Sequence, residues 1–455
     1  MLVYKEPEVR KLILKTAVPA MMEMILYMFL GVVDIAVVGR LGAVPLAAVG
    51  LGTQIFLAFI LILSSVGIGS SIMAAHAKGA GKMNEVSRIA GQTYLMALVF
   101  GTIAGIIGWL LADPLLSLFP VEAGVHHQAL IFLHRTFPVV PIALTYYIIN
   151  SIYRGLGRTD IPMIIAFVVN IVNIVGNLIL VHGLGPIPAL GMIGSATATS
   201  IALVIGFFIV SCLLFSKHGE MKVKFTLQPK FNLRIIRKIF RLGLPSMGEQ
   251  FFITLSTMTT VFLIVFTGTH AFASNEVATS IETLSLMPGF GIAIAATALV
   301  GHSIGARDTL TAQKMARGSL ELAGLLMGTV GVLFFCFPYA IASVFSHDPI
   351  IIRTTGILVR IAAFEQLPMA ATMVLGAILK GAGNTRLPML VTTLGTWAFR
   401  IPLIYVIIHI LKMPIAYVWV LSACDWSLRA LVFSLVYRHK GWLPQTMGGT
   451  QVHAA

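Results

Sequence analysis

Twelve stretches of about 20 apolar residues, the length that crosses ~30 Å of hydrocarbon, follow one another along nearly the whole chain. They fall at roughly 14–38, 44–70, 89–111, 128–150, 161–183 and 191–214, then 242–266, 272–300, 318–343, 354–379, 387–410 and 415–437. Only 11% of the residues are charged and 58% are hydrophobic, far from the roughly one-quarter charged residues of soluble domains. Lys5, Arg10, Lys11 and Lys15 at the start of the first stretch imitate a signal peptide. The apolar run behind them is too long for one, and eleven more spans follow.

The net charge of +14 would point to nucleic acid in a soluble protein, but its placement gives another meaning. Twenty-four of the 31 lysines and arginines lie in alternate loops: the N-terminus, 78–88, 154–158, 217–241, 307–317, 380–386 and 438–440. Under the positive-inside rule these loops and both termini are cytoplasmic. No nucleic-acid partner is expected, and the excess can also attract anionic lipid headgroups. Cys212, Cys336 and Cys424 lie within spans without paired spacing, which predicts small apolar core residues and no disulfide.

A shift of 226 residues aligns the chain with itself. It matches Pro19 to Pro245, Glu23 to Glu249, Gly42 to Gly268 and Thr53 to Thr279. The same shift pairs His76-Ala77-Lys78-Gly79-Ala80 with His302-Ser303-Ile304-Gly305-Ala306, and Gly155-Leu156-Gly157-Arg158-Thr159 with Gly381-Ala382-Gly383-Asn384-Thr385. One register held over about 145 residues marks a duplication. Six spans per copy return the chain to its starting side, so the copies share one orientation. The expected fold is an all-α integral membrane protein of twelve transmembrane helices, in two six-helix bundles related by a pseudo-two-fold axis along the membrane normal. The expected segments are an N-terminal bundle over 1–214, a cytoplasmic linker over 215–241, a C-terminal bundle over 242–440 and a short polar tail over 441–455. Within the linker, 231–238 reads as amphipathic.

Pro19, Asp34, Gly39-Arg40-Leu41-Gly42 and the paired loops Arg154-Gly155-Leu156-Gly157-Arg158-Thr159 and Lys380-Gly381-Ala382-Gly383-Asn384-Thr385 together resemble the multidrug and toxic compound extrusion (MATE) family, over essentially the whole chain. Asn177 and Leu30, where some relatives carry an acid and a tyrosine, make the prokaryotic DinF-like branch the nearest in resemblance. The resemblance implies export of amphipathic, often cationic compounds by alternating access, driven by inward proton or sodium flow, in a prokaryotic inner membrane.

Asp34 is the expected coupling residue. A carboxylate inside the membrane costs ~2.5–3.5 kcal/mol if ionised at a helix centre, so it must be solvated, paired or protonated, and a group titrating near ambient pH loads a proton on one side and releases it on the other. Asn170, Asn173 and Asn177 share one helical face. With Asn150, Ser195 and Thr199 they are expected to form a polar wall facing Asp34, the alternative being interhelical glue at about 0.6 kcal/mol per bond. The 226-residue shift turns Asp34 into Thr260, Asn150 into Gly376 and the three asparagines into Thr396, Phe399 and Leu403, so the cluster belongs to the first copy alone.

Pro19 is the expected hinge of the first span. Glu23 and Glu249, symmetric about the duplication, read as pairing or gating groups, and with Glu365 they are secondary site candidates. Asp425 and Arg429 should pair within one helix, with Arg400 nearby. Glu276 and Glu282 are placed at the start of the eighth span. No phosphate loop is present: Gly79-Ala80-Gly81-Lys82-Met83 lacks the upstream glycine and the hydroxyl. No metal site, cofactor or nucleophile triad is expected, and the chain is read as a monomeric transporter rather than an enzyme, with proton as the coupling ion. Sodium coupling and a lipid-linked precursor flippase are the alternatives.

Overall fold

The computed structural model describes residues 6–183, 188–216, 219, 221, 223, 231–439 and 442–443, and within these not the side chains of Leu30, Val32, Asp34, Ile35 and Arg40. Among the described residues twelve helices are long and apolar enough to cross a membrane. They are α1 (Pro7–Val38), α2 (Ala43–Gly79), α3 (Met83–Leu116), α4 (Ala123–Gly155), α5 (Asp160–His182), α6 (Met192–Phe215), α7 (Leu233–Val265), α8 (Thr269–Gly305), α9 (Thr309–Cys336), α10 (Pro349–Gly381), α11 (Arg386–Ile410) and α12 (Ala416–Arg438). No strand occurs among the described residues. Helices meet the demand that every backbone polar group in hydrocarbon be satisfied within its own segment.

Two expectations change at helix ends. The ninth span, expected to run to 343, stops at Cys336, and Pro338–Phe345 forms a separate two-turn helix. Pro338 has no N–H to continue the ladder, and Phe337 before it leaves helical geometry at φ −125°. The segment 233–241, expected as linker, is the start of α7. The cysteines are free, but all three are exposed rather than core, as small apolar groups facing lipid can be.

The duplication is visible in the backbone. Positive φ recurs at the 226-residue shift: Gly42 (115°) with Gly268 (100°), Gly81 (71°) with Arg307 (59°), and Gly157 (71°) with Gly383 (92°). Gly42 and Gly268 are the residues that open α2 and α8. A left-handed turn at each admits glycine without a Cβ penalty.

The chain forms two compact units whose limits differ from the expected segments. The first unit is Met22–Met247; the second combines Met1–Met21 with Gly248–Ala455. Both cuts fall two residues after the repeated prolines Pro19 and Pro245. Glycines make this possible. A Cβ on Gly69 of α2 would stand 2.3 Å from the Ile239 carbonyl of α7, and one on Gly243 would stand 2.3 Å from the Val66 carbonyl, so the start of α7 lies backbone to backbone on α2. In the second unit a Cβ on Gly291 of α8 would stand 2.7 Å from the Met21 nitrogen of α1. Lys314 also pairs with Glu6 there at 3.0 Å. Each copy therefore holds the opening half-helix of the other copy.

Candidate functional site

In the first unit the asparagine face of α5 is buried, together with Asn150 on α4 and Ser195 and Thr199 on α6. The three helices converge at Gly206, where a Cβ would stand 2.8 Å from Val169 and 3.0 Å from Tyr146. Asn173 Nδ2 donates to Thr199 Oγ1 at 3.1 Å, joining α5 to α6. Asn177 Nδ2 donates back to the Asn173 carbonyl at 3.0 Å, and Asn170 Nδ2 to the Ala166 carbonyl at 2.8 Å. The amide nitrogens are thus spent inside the helix pair. The Oδ1 atoms of Asn170 and Asn173, both amide atoms of Asn150 and the Ser195 hydroxyl have no partner among the described residues. An array rich in buried acceptors is suited to a donor: a protonated carboxyl, a hydrated cation or an ammonium. Asp34 lies in the helical backbone of α1, and its side chain is outside the described residues.

Toward the proline of α1, Glu23 is fully buried. Its Oε1 accepts from Arg154 Nη1 at 2.9 Å and from Tyr27 Oη at 3.0 Å. The Tyr27 ring packs on Tyr147 at 5.6 Å, and Tyr147 on Tyr146 at 4.9 Å, so the ion pair is roofed by three aromatic rings. In the second unit Lys380 Nζ lies 2.8 Å from Glu249 Oε2. Both partners are offset by 226 from the first pair. The sequence reading foresaw pairing of the glutamates but missed Arg154 and Lys380 as their partners. Applying the same shift to basic residues would have found them.

The second unit carries a denser set of charges. Glu365 of α10 is fully buried and accepts from Ser422 Oγ at 3.2 Å, with its Oε1 lacking a hydrogen-bond partner among the described residues, and the charges of Glu282 and Arg400 lie near enough to act on it. Glu282 was expected beside the start of its span. It lies thirteen residues past Thr269, where α8 begins. Asp425 and Arg429 pair as expected. Nε donates to Oδ1 at 2.8 Å and Nη2 donates to Oδ2, with the guanidinium over the Trp426 ring at 4.8 Å. A wide turn of α11, Gly395–Arg400, lies against them, and a Cβ on Gly395 would stand 2.9 Å from Asp425 Oδ1. Such π-type turns mark places where a helix yields its regular ladder.

Twelve apolar helices, a duplicated frame and buried polar sites within each unit define a multi-pass membrane transporter. The MatE family model matches residues 19–179 and again 245–406, one match per copy, each starting at the repeated proline. The chain belongs to the MatE family and is a transporter, not an enzyme. It is 28% identical over 441 residues to a probable multidrug resistance protein NorM of Thermotoga maritima, covering 96% of this chain and 94% of that one. It is also 25% identical to the uncharacterized transporter YisQ of Bacillus subtilis, with 94% of each covered. Among solved structures, a MOP superfamily transporter from Pyrococcus furiosus superposes with a TM-score of 0.86 at 22% identity, over 95% of this chain and 96% of that one. That likeness is one of fold.

Proposed function

We propose that this chain exports amphipathic, cationic organic compounds across a prokaryotic inner membrane in exchange for protons, by alternating access, with protonation of Asp34 as the coupling step. The observation that carries the reading is the buried array of asparagine oxygens in the first unit. The amide nitrogens of Asn170, Asn173 and Asn177 are already committed, and the second copy replaces these three with Thr396, Phe399 and Leu403. Asparagines needed only to pack a six-helix unit would be required in both copies. The multidrug resistance role named for the Thermotoga maritima relative supports the substrate class.

In this reading Asp34, when protonated, donates into the Asn150, Asn170, Asn173, Asn177, Ser195 and Thr199 wall, and when ionised it requires water or the cationic substrate. Pro19 is the point at which α1 yields as that charge changes. Each proton moving inward supplies ~2.3 kcal/mol per 100 mV. The distribution of basic loops supports cytoplasmic termini by the positive-inside rule, and a monomer with DinF-like residues at Asn177 and Leu30 completes the proposal.

The test is reconstitution into vesicles with export of a fluorescent cation read under an imposed pH gradient and, separately, a sodium gradient. Export under the pH gradient that is abolished by Asp34→Asn is the expected result. Export driven by sodium alone overturns the ion assignment. Failure to move the cation, with transport of a lipid-linked precursor, overturns the substrate class.

A further inference from the structure

The exposed stripe of α10 reads Ile357, Arg360, Phe364, Leu367, at intervals of three and four residues. Three large apolar side chains on one exposed helical face of a membrane protein mark lipid contact, and Arg360 stands among them. Arginine stays charged throughout the accessible pH range. No carboxylate of the described residues forms an ion pair with Arg360; the pairs of this unit engage Lys314, Arg317, Lys380 and Arg429.

Its guanidinium instead lies over two rings, 5.9 Å from the centroid of Phe335 at the end of α9 and 5.3 Å from that of Tyr339 in the two-turn helix that follows. A cation over a ring face is held through its charge and needs no N–H donation to the ring. The duplication repeats this arrangement. A shift of 226 residues places Phe335 on Trp109 and Arg360 on His134, which stack at 4.9 Å in the first unit. The aromatic–basic contact belongs to the frame, but only the second copy puts a permanent charge on it.

Depth supplies the remaining step. α10 has 33 residues and is about 50 Å long, so a ~30 Å hydrocarbon layer centred on it leaves about 10 Å at each end. Arg360 is eleven residues from the helix start, or about 16 Å, which puts its Cα about 6 Å below the hydrocarbon boundary, within the reach of an arginine that snorkels to the headgroups.

We propose that Arg360 binds the phosphate of a membrane phospholipid at the Pro349 end of α10, with Phe335 and Tyr339 fixing the guanidinium so that its free edge meets the phosphate oxygens in a forked pair. The geometry suits phosphate, which accepts two parallel N–H bonds, and the flanking exposed apolar residues seat the acyl chains. The site is independent of the transport reaction proposed above.

Native mass spectrometry of the full chain in detergent tests it, with phosphatidylglycerol as the probe and a diacylglycerol of matched chains as the control. The wild type is expected to retain phosphatidylglycerol and not diacylglycerol. Arg360→Gln weakens retention about tenfold, and Arg360→Lys, which keeps the charge but loses the fork, falls between. Phe335→Leu combined with Tyr339→Leu leaves the cation in place and weakens retention several-fold. Equal retention by the wild type and Arg360→Gln overturns the proposal. Equal binding of diacylglycerol overturns it by removing the phosphate from recognition, and displacement of the lipid by excess inorganic phosphate overturns the lipid as the ligand.

Discussion

Arg154 Nη1 lies 2.9 Å from Glu23 Oε1, a contact that the duplication reproduces as Lys380 and Glu249 at 2.8 Å in the other unit. In each unit the acid sits four residues past a helix proline, and the base sits at the end of a later helix of the same unit. The two pairs differ in setting. The Glu23 side chain is fully buried and that of Glu249 12% exposed, while the bases are alike, Arg154 at 18% and Lys380 at 20%.

Removing one partner of a buried ion pair leaves an uncompensated charge and costs about 3–5 kcal/mol. Arg154→Ala should therefore destabilise strongly, and Lys380→Ala less, because water reaches the Glu249 carboxylate that the latter leaves behind but not that of Glu23. Thermal unfolding in detergent measures both. The double variant Glu23→Gln with Arg154→Gln should recover part of the loss. Equal destabilisation by Arg154→Ala and Lys380→Ala would contradict the assigned difference in burial.

Gly395 is the point of closest approach between α11 and the Asp425–Arg429 pair. An alanine Cβ there would stand 2.9 Å from Asp425 Oδ1 and 3.0 Å from Arg429 Nε. Neither atom can yield without breaking the pair, so Gly395→Ala should cost about 1–3 kcal/mol, the range for overpacking. Gly324, with nothing within 4 Å of a Cβ, is the control. Gly324→Ala should leave the midpoint of unfolding unchanged or slightly raised, since alanine is favoured over glycine inside a helix.

Asp308 shows how a loop of this protein responds to pH. It caps α9, accepting from the Thr311 N–H at 2.9 Å and from the Thr311 hydroxyl at 2.6 Å. The hydroxyl bond first, and then the backbone bond, hold its carboxyl below the ordinary carboxylate range. A depressed folded-state pKa means that the cap stabilises α9 above the unfolded pKa of ~3.9 and is lost as pH falls through the lower folded value. Asp308→Ala should cost about 1 kcal/mol near neutrality. Hydrogen exchange in the first turn of α9 should rise in the variant at neutral pH, and the difference should shrink in acid.

The helix count and the duplication were legible because the length of an apolar run and an exact residue offset are properties of the string itself. The offset even carried over to backbone angles, at Gly42 and Gly268 and at Gly157 and Gly383. The limits of the two units were not legible. The exchange of opening half-helices depends on bare backbone approaches at Gly69, Gly243 and Gly291, and a glycine in an apolar run gives no sign of which helix it will meet. The candidate site was half legible. The spacing of Asn170, Asn173 and Asn177 predicts one face, and the structure buries it. The asymmetry within each amide, with nitrogen bonded and oxygen free of partners at Asn170 and Asn173, needs the neighbouring carbonyls and hydroxyls in place. Glu282 was read as lying at a span start although the expected span 272–300 already left it ten residues inside, and the helix that starts at Thr269 makes that thirteen.

Asn173 and Thr199 separate the two roles available to the polar wall. If the wall is glue, Asn173→Ala removes one interhelical bond and lowers stability by about 0.6 kcal/mol, and Thr199→Val does the same. Export would follow stability and change little. If the wall receives the coupling proton, both variants keep that small stability loss, but their effects on export diverge. Asn173→Ala removes an acceptor whose oxygen has no internal partner, so proton-driven export should fall at least tenfold. Thr199→Val removes the acceptor of the Asn173 nitrogen, frees that amide to turn, and should shift the pH at which export is half-maximal more than it lowers the maximal rate. Paired measurements of unfolding midpoint and of initial export rate against pH make the distinction. Two variants with matched stability losses and unchanged pH profiles would assign the asparagine face to packing.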